Sequence, residues 1–406
     1  MKLQLQKLDS SAKESLKLMG FNGFFWFAWA FGCYQVVYLQ SQGFTASETG
    51  LLNALSSIVA IFSVSFWGMI SDKIGSVKRI AILVISVGVG LFALIPAIPT
   101  NLKISSALFL IIIPAMNFFR GSMITFSDNI LVRNCNELGL NFGAIRSVGS
   151  FLFTIGSLII SVLIPFVGIP STFWINALLM IPAIVFLFFC RDPNMNSRPK
   201  EKDSPKQKLN IGELFKNYYY VSFLLFALFF YIATNCEGNF MVYFMRSIDV
   251  APEKYGYMLA YRATVEIPFL LLSNKLRKRF KLRQMMIAGA LLMAVEGVGL
   301  CFFANSFSSL IFFSTFFGLG NGLFISASLG YVYHLAPNHL KASAQAFFAA
   351  VAAVSGIFGN LLGGVVFDSI GAKPFYFVVS MLFALSILIF FISFQIRKGK
   401  PDAINI

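Results

Sequence analysis

Ionisable side chains standing in otherwise apolar stretches are the residues from which any chemistry of this chain must be argued. Arg120 and Asp128 fall in the run 107–132, and Arg146 lies in FGAIRSVGS near the start of the next run. Arg262 and Glu266 are four residues apart in a third stretch, while Glu237 and Glu296 have no charged neighbour of their own. A charged group at the centre of a bilayer costs about 3 kcal/mol or more, and it persists where it pairs or faces a watery cavity. A path for a polar solute or an ion is therefore expected here. Asp128 and Arg146 offer a carboxylate and a guanidinium that can exchange their mutual contact for hydrogen bonds to sugar hydroxyls; a static ion pair or an interfacial anchor is the alternative. Arg262 and Glu266 share one helix face, which makes Glu266 the first candidate proton carrier and a static pair the competing reading. Glu237 and Glu296 are further candidates for proton relay, or for pairing with Arg120. Arg120 itself is expected either to pair within the bundle or to capture a substrate carboxylate.

Weaker candidates surround these. Trp26, Trp29, Tyr34 and Phe153 have rings on which a sugar or an aromatic solute can stack, although 48 phenylalanines make ordinary packing the usual role of any single aromatic. Asn235, Asn239 and Asn321 are amides in apolar surroundings, each needing a hydrogen-bond partner from a neighbouring helix or from the solute.

The elements that position these residues follow from composition. The 406 residues are 57% hydrophobic and 12% charged, with mean hydropathy +0.77, which excludes an ordinary soluble enzyme. Spans of about 20 apolar residues are expected at 16–40, 47–70, 79–98, 106–132, 143–165, 170–190, 217–244, 254–274, 284–304, 308–334, 341–367 and 373–396. The fold class is thus an all-α integral membrane protein with twelve transmembrane helices. Of 32 Lys and Arg residues, only Lys103, Arg246, Lys254 and Lys373 fall in proposed outer loops, and Arg120, Arg146 and Arg262 lie inside spans. The rest fall on the proposed cytoplasmic face, as the positive-inside rule requires. A multi-pass protein of the inner (cytoplasmic) membrane, both termini cytoplasmic, is expected. The +15 net charge then serves topology, and no nucleic acid is implied. The first 15 residues lack the apolar core of a signal peptide, so the first span is expected to stay as an anchor.

RDPNMNSRPKEKDSPKQKLN reads as a solvated cytoplasmic linker. It divides the chain into a six-helix half at 1–190, a linker at 191–216 and a second half at 217–406. The halves look related: SDKIGSVKR at 71–79 and SNKLRKRFK at 273–281 follow the second span of each half. Duplicated halves around a midplane site are a common plan of secondary transporters. Small residues from Gly356 to Gly364 permit close helix approach. Five scattered cysteines, with neither CxxC nor a Cys/His cluster, give no disulfide framework, metal site or cofactor.

GMISDKIGSVKR, Gly68 to Arg79, resembles the signature loop of the major facilitator superfamily in residue types, spacing and position. YLQSQGFTASETGLL at 38–52, DNIL with FGAIRSVGSF at 128–151, VEIPFLLLS at 265–273, and LAPNHLKASAQAFF with GNLLGGVVFDSIGA at 335–372 resemble the oligosaccharide:proton symporter branch, which includes lactose permease and phenylpropionate-permease-like proteins. The resemblance implies two pseudo-symmetric six-helix halves and a solute-binding acid–arginine pair whose 18-residue spacing is met by Asp128 and Arg146. It also implies that Gly68, Asp72, Lys73, Gly75, Lys78 and Arg79 stabilise one conformation by contacting helix ends. The departure is span ten, where 308–330 carries no ionisable residue in place of the Lys, His and Glu of lactose permease.

The resulting expectation is a monomeric secondary transporter in the lipid bilayer that moves a sugar or oligosaccharide with protons by alternating access. Rival expectations are a nucleoside or aromatic-acid symporter, a drug:proton antiporter, and a non-transporting membrane sensor. GxxxxGK[ST] is absent, which disfavours direct drive by ATP, and no HExxH or comparable motif suggests an enzyme.

Overall fold

The computed structural model describes residues 2–99, 105–193 and 212–396. Most of the expected linker, 194–211, and the C-terminal 397–406 lie outside the described residues. Apart from short 3₁₀ turns, the regular structure of the described residues is α-helical, with no strand. The helices are α1 (Lys2–Gly32), α2 (Gln35–Ser41), α3 (Ala46–Ile74), α4 (Val77–Leu94), α5 (Ser105–Arg120), α6 (Met123–Leu138), α7 (Phe142–Val167), α8 (Ser171–Phe189), α9 (Gly212–Lys216), α10 (Tyr218–Ser247), α11 (Lys254–Arg279), α12 (Leu282–Phe302), α13 (Phe307–Leu335), α14 (Lys341–Ile370) and α15 (Ala372–Ile396).

Ten helical stretches among the described residues are long and apolar enough to cross a membrane. The other two expected spans correspond to α1 with α2 and to α11. In α1 the apolar character is diluted by Lys17, Asn22 and glycines, and in α11 by Arg262, Glu266 and the basic end Arg277–Arg279. Large apolar side chains remain on the outside, including Phe166 at 83% and Ile111 at 68% exposure, a surface suited to lipid rather than water.

Two expected spans are not continuous helices. The first breaks at Cys33–Tyr34, where the amides turn back to Ala30 and Phe31 in tight i−3 bonds of 3.3 Å each. The fourth breaks at Gly121–Ser122, between α5 and α6. A Cβ at Gly121 would lie 2.6 Å from Cβ of Ala60 on α3, so only glycine allows this approach. The break leaves the Phe118 carbonyl outside the helical ladder, and α3 satisfies it twice: Ser63 Oγ donates at 2.6 Å and Trp67 Nε1 at 2.8 Å. An unpaired carbonyl in lipid is costly, so these two donors stabilise the break.

The chain forms two compact units, Met1–Gly43 with Leu55–Asp203, and Phe44–Ala54 with Ser204–Ile406. Residues 44–54 group with the second unit because Asp368, in the last turn of α14, accepts from the amides of Ala46 (3.2 Å) and Ser47 (2.7 Å) at the start of α3. In the first unit α1 packs on α7 and α8, and its Leu18, Phe21, Phe25 and Ala28, all fully buried and spaced to one helical face, belong to a core shared with Ile145, Met180 and Leu187. In the second unit α10 packs on α14 and α15, α12 on α13 and α15, and α11 on α13. Phe230 of α10 stacks on Phe324 of α13 with centroids 3.7 Å apart. Gly289 of α12 and Gly320 of α13 face each other so closely that a Cβ on either would meet the other's carbonyl oxygen within 2.6 Å. With no aqueous driving force inside lipid, such contact holds helices together by van der Waals packing.

Candidate functional site

In the first unit the candidate substrate residues form a ladder of cations and rings. The α5–α6 break leaves Arg120 as the last residue of α5, buried at 8% exposure. Its guanidinium lies over Phe92, 3.6 Å from the centroid, and over Trp29 at 4.7 Å. Trp29 and Trp26, one turn apart on α1, are in edge contact at 6.3 Å. Arg146 of α7 covers the Trp26 ring at 4.3 Å, and Phe153, two turns further along α7, meets the same ring edge-on at 6.2 Å. α7 comes this near because position 149 is glycine: a Cβ there would lie 2.5 Å from Asn22 Nδ2 and 2.7 Å from Trp26 Cδ1.

Asp128 of α6 closes the ladder. Its Oδ1 stands 3.9 Å from Arg146 Nε, with side-chain exposures of 41% and 30%. At that distance the pair is an ion pair without a hydrogen bond, and Asp128 Oδ1 is buried with no hydrogen-bond partner. Trp26 Nε1 is likewise buried without one. An acceptor and a donor left open beside an aromatic face suit a hydroxylated ring, whose OH groups both donate and accept. The structure thus brings Trp26, Asp128, Arg146 and Phe153 together, with Arg120 two ring contacts away.

Glu237 and Glu296 have Arg262 as their partner; among the described residues of its own unit, Arg120 has no carboxylate within 4 Å. The two glutamates belong to a different cluster, in the second unit. Arg262 Nη2 on α11 donates to Glu237 Oε1 on α10 at 2.7 Å, to Glu296 Oε1 on α12 at 2.6 Å and to Ser314 Oγ on α13 at 3.2 Å. All four side chains are buried, and the guanidinium rests on the Phe317 ring at 4.3 Å. One terminal nitrogen has two protons, so three acceptors oversubscribe it. Glu237 Oε2 and Glu296 Oε2 are both buried with no hydrogen-bond partner. Fully ionised, the cluster holds two negative charges against one positive; a single proton on either carboxyl restores neutrality. Tyr376 of α15 fixes this part of α10 by donating to the Glu237 main-chain carbonyl at 3.0 Å.

Glu266 is placed otherwise than its spacing from Arg262 suggests. Its Oε2 accepts from Asn321 Nδ2 of α13 at 3.0 Å. Asn239 donates to Asn360 Oδ1 of α14 at 2.7 Å, and Asn235 bonds back to the Tyr231 carbonyl of its own helix at 2.7 Å. Sequence reasoning missed Ser314, Asn360 and Tyr376. Asn360 carried the same signal as Asn239, an amide in an apolar span; Ser and Tyr are too common in spans to stand out.

The loop after α3 is built around Gly75, whose φ of +74° sets the turn, and Ser76, which caps α4 by accepting from the Arg79 amide at 3.1 Å. Ser76 Oγ also bonds Asp192, whose carboxylate accepts from the Lys78 amide at 3.2 Å. Lys78 Nζ donates to the carbonyls of Phe188 (2.6 Å) and Cys190 (2.8 Å), neutralising the C-terminal end of α8. Asp72, Lys73 and Arg79 are exposed, and a Cβ at Gly68 would meet nothing within 4 Å. Asp192, the acid that holds this loop to the end of α8, reads in the sequence only as the first turn of the linker.

Against known proteins, a profile described as the MFS_1 like family matches residues 16–378. An uncharacterized transporter of Bacillus subtilis (strain 168), YwbF, is 26% identical over 381 residues, covering 89% of this chain and 88% of that one. The maltose permease of Geobacillus stearothermophilus is 23% identical over 359 residues, covering 87% and 88%. A crystal structure of a mutant of the nucleoside transporter NupG superposes with a TM-score of 0.80 at 15% identity, covering 94% of this chain and 100% of that one.

Proposed function

Since the chain belongs to the MFS_1 like family and is therefore a multi-pass secondary transporter of the major facilitator type, we propose that it moves a sugar or oligosaccharide together with protons, by alternating access. The observation that carries the proton coupling is the buried Arg262 shared by Glu237 and Glu296, each with a bare second oxygen. In this reading the acid pair takes up one proton, and Glu266 with Asn321 plays a positioning part. The solute class rests on Asp128, Arg146 and Trp26, whose open donor and acceptor flank a ring face, and on the likeness to a maltose permease. Asn239 and Asn235 line helices that reposition during transport, and the Gly68–Arg79 loop steadies one state through Lys78 and Asp192. The chain works as a monomer in the inner membrane, both termini cytoplasmic, and it acts as a transporter rather than an enzyme.

The test is uptake into proteoliposomes of purified protein under an imposed inward proton gradient, with maltose, sucrose, a nucleoside and an aromatic acid as radiolabelled solutes. Gradient-driven accumulation of a sugar, abolished by a protonophore, is the expected result. Sugar flux insensitive to the gradient overturns the coupling, and uptake of the nucleoside or aromatic acid alone overturns the solute class.

A further inference from the structure

We propose that Arg120 is the receptor for a carboxylate on the transported solute, so that the preferred substrate is an acidic sugar. The inference rests on the sugar-transport reading above and narrows it. Arg120 is buried, yet among the described residues it has no carboxylate partner and one hydrogen bond, from Nη2 to the Gly32 carbonyl at a long 3.4 Å. The C-terminal end of α1, to which that carbonyl belongs, supplies about half a negative charge, and the rings of Phe92 and Trp29 supply only a quadrupole. Neither balances a guanidinium that stays charged at any physiological pH. Among the described residues nothing accepts from Nε or Nη1, and neither atom is among the sealed polar atoms. The planar fork is therefore open for a bidentate anion.

The position supports a carboxylate attached to the sugar. From Arg120 the ladder runs through Trp29 and Trp26 to Arg146 in steps of 4.7, 6.3 and 4.3 Å. A solute whose neutral ring sits at Trp26 with Asp128 and Arg146 can extend along Trp29 and present an acid to Arg120. Asn176, whose Nδ2 donates to the Ala28 carbonyl at 2.6 Å and whose Oδ1 is buried without a partner, lies near the same end of α1 and can take a hydroxyl beside the acid.

The experiment measures binding to purified protein by thermal shift and by competition of maltose counterflow in proteoliposomes. The probes are a glucuronate-terminated disaccharide, its methyl ester and maltose, in sulfate and in chloride buffers. The wild type should bind the acid at least about tenfold more tightly than the ester, the effect of one hydrogen bond to a charged group. Arg120→Gln should erase that preference by lowering affinity for the acid to that of its ester, and Arg120→Lys should retain part of it. The wild-type comparison of acid with ester stands even where a variant fails to fold. Equal binding of acid and ester overturns the role of Arg120 and leaves sugar transport standing. Stabilisation by chloride without preference for the acid assigns the guanidinium an inorganic anion and overturns the proposal. Binding of none of the three sugars overturns both readings together.

Discussion

Glu296→Gln should uncouple the protein without stopping it. In the wild type, Arg262 Nη2 faces Glu237 at 2.7 Å and Glu296 at 2.6 Å, and the excess negative charge makes room for one proton. Gln at 296 keeps the size and an accepting oxygen, but it leaves one carboxylate against one guanidinium, already neutral and with no cause to protonate. Glu237→Gln should do the same from the other side. Removing one partner of a buried ion pair costs about 3–5 kcal/mol; here Arg262 keeps a carboxylate and an accepting amide, so the loss should be nearer the ~1 kcal/mol of an ordinary hydrogen bond. The transport effect is far larger. One proton moving down 100 mV releases about 2.3 kcal/mol, which sustains roughly 50-fold accumulation of a solute coupled to it one-to-one. Under a 100 mV potential in proteoliposomes, wild type should approach that ratio, and each single variant should stop at equal concentrations while still exchanging labelled solute in counterflow. Accumulation by either Gln variant would refute the shared-proton argument, because one carboxylate paired with Arg262 would then be enough.

Other residues give sharper contrasts with this pair. Glu266→Gln, whose partner Asn321 can bond an amide as readily as a carboxylate, should keep uphill uptake; its loss would return the proton to Glu266. Asp128→Asn should weaken sugar affinity about tenfold in a binding assay, the scale of a hydrogen bond to a charged group, without lowering the melting temperature. Trp67→Phe removes one of two donors to the freed Phe118 carbonyl and should cost about 0.5–1.5 kcal/mol, read as a lower midpoint in thermal unfolding. Single cysteines at Ser204 and Ala251, in a background without the native five, should label from opposite faces of the membrane; labelling from the same face would break the twelve-span topology.

The order of the helices and the residues carrying intramembrane charge were legible in the sequence because both depend on composition over windows of about 20 residues. Partner choice was not. Glu266 sits one turn from Arg262 on the same face, which periodicity detects, yet Arg262 reaches Glu237, 25 residues before it, and Glu296, 34 residues after it. Those contacts depend on how α10, α11 and α12 are rotated and crossed, and that is set by packing such as the Gly289–Gly320 approach. Asp128 and Arg146 were within reach of sequence reasoning because α6 and α7 are antiparallel neighbours joined by a short turn, so little freedom remains. Asp192 was hidden by its setting, a single acid at the head of a basic, proline-rich stretch.

The helix breaks were the least visible feature, and they explain why Arg120 is where it is. No proline lies at Cys33–Tyr34 or Gly121–Ser122, and a Gly–Ser pair inside an apolar run is compatible with a continuous membrane helix. What decides the second break is a neighbour: Ala60 presses on Gly121 while Ser63 and Trp67, one and two turns further along α3, hold the Phe118 carbonyl. The same face of α3 thus provides both the steric cause and the hydrogen bonds that make the break tolerable in lipid. Its consequence is that Arg120 ends α5 and points to the end of α1, where Gly32 leaves room that any side chain would fill, since a Cβ there would lie 2.3 Å from Arg120 Nη2. Gly32→Ala should therefore push the guanidinium off Trp29 and Phe92. If Arg120 serves only to pack these helices, that variant lowers stability alone; if it receives the solute's acid, the preference for acid over ester falls together with it in the same preparation.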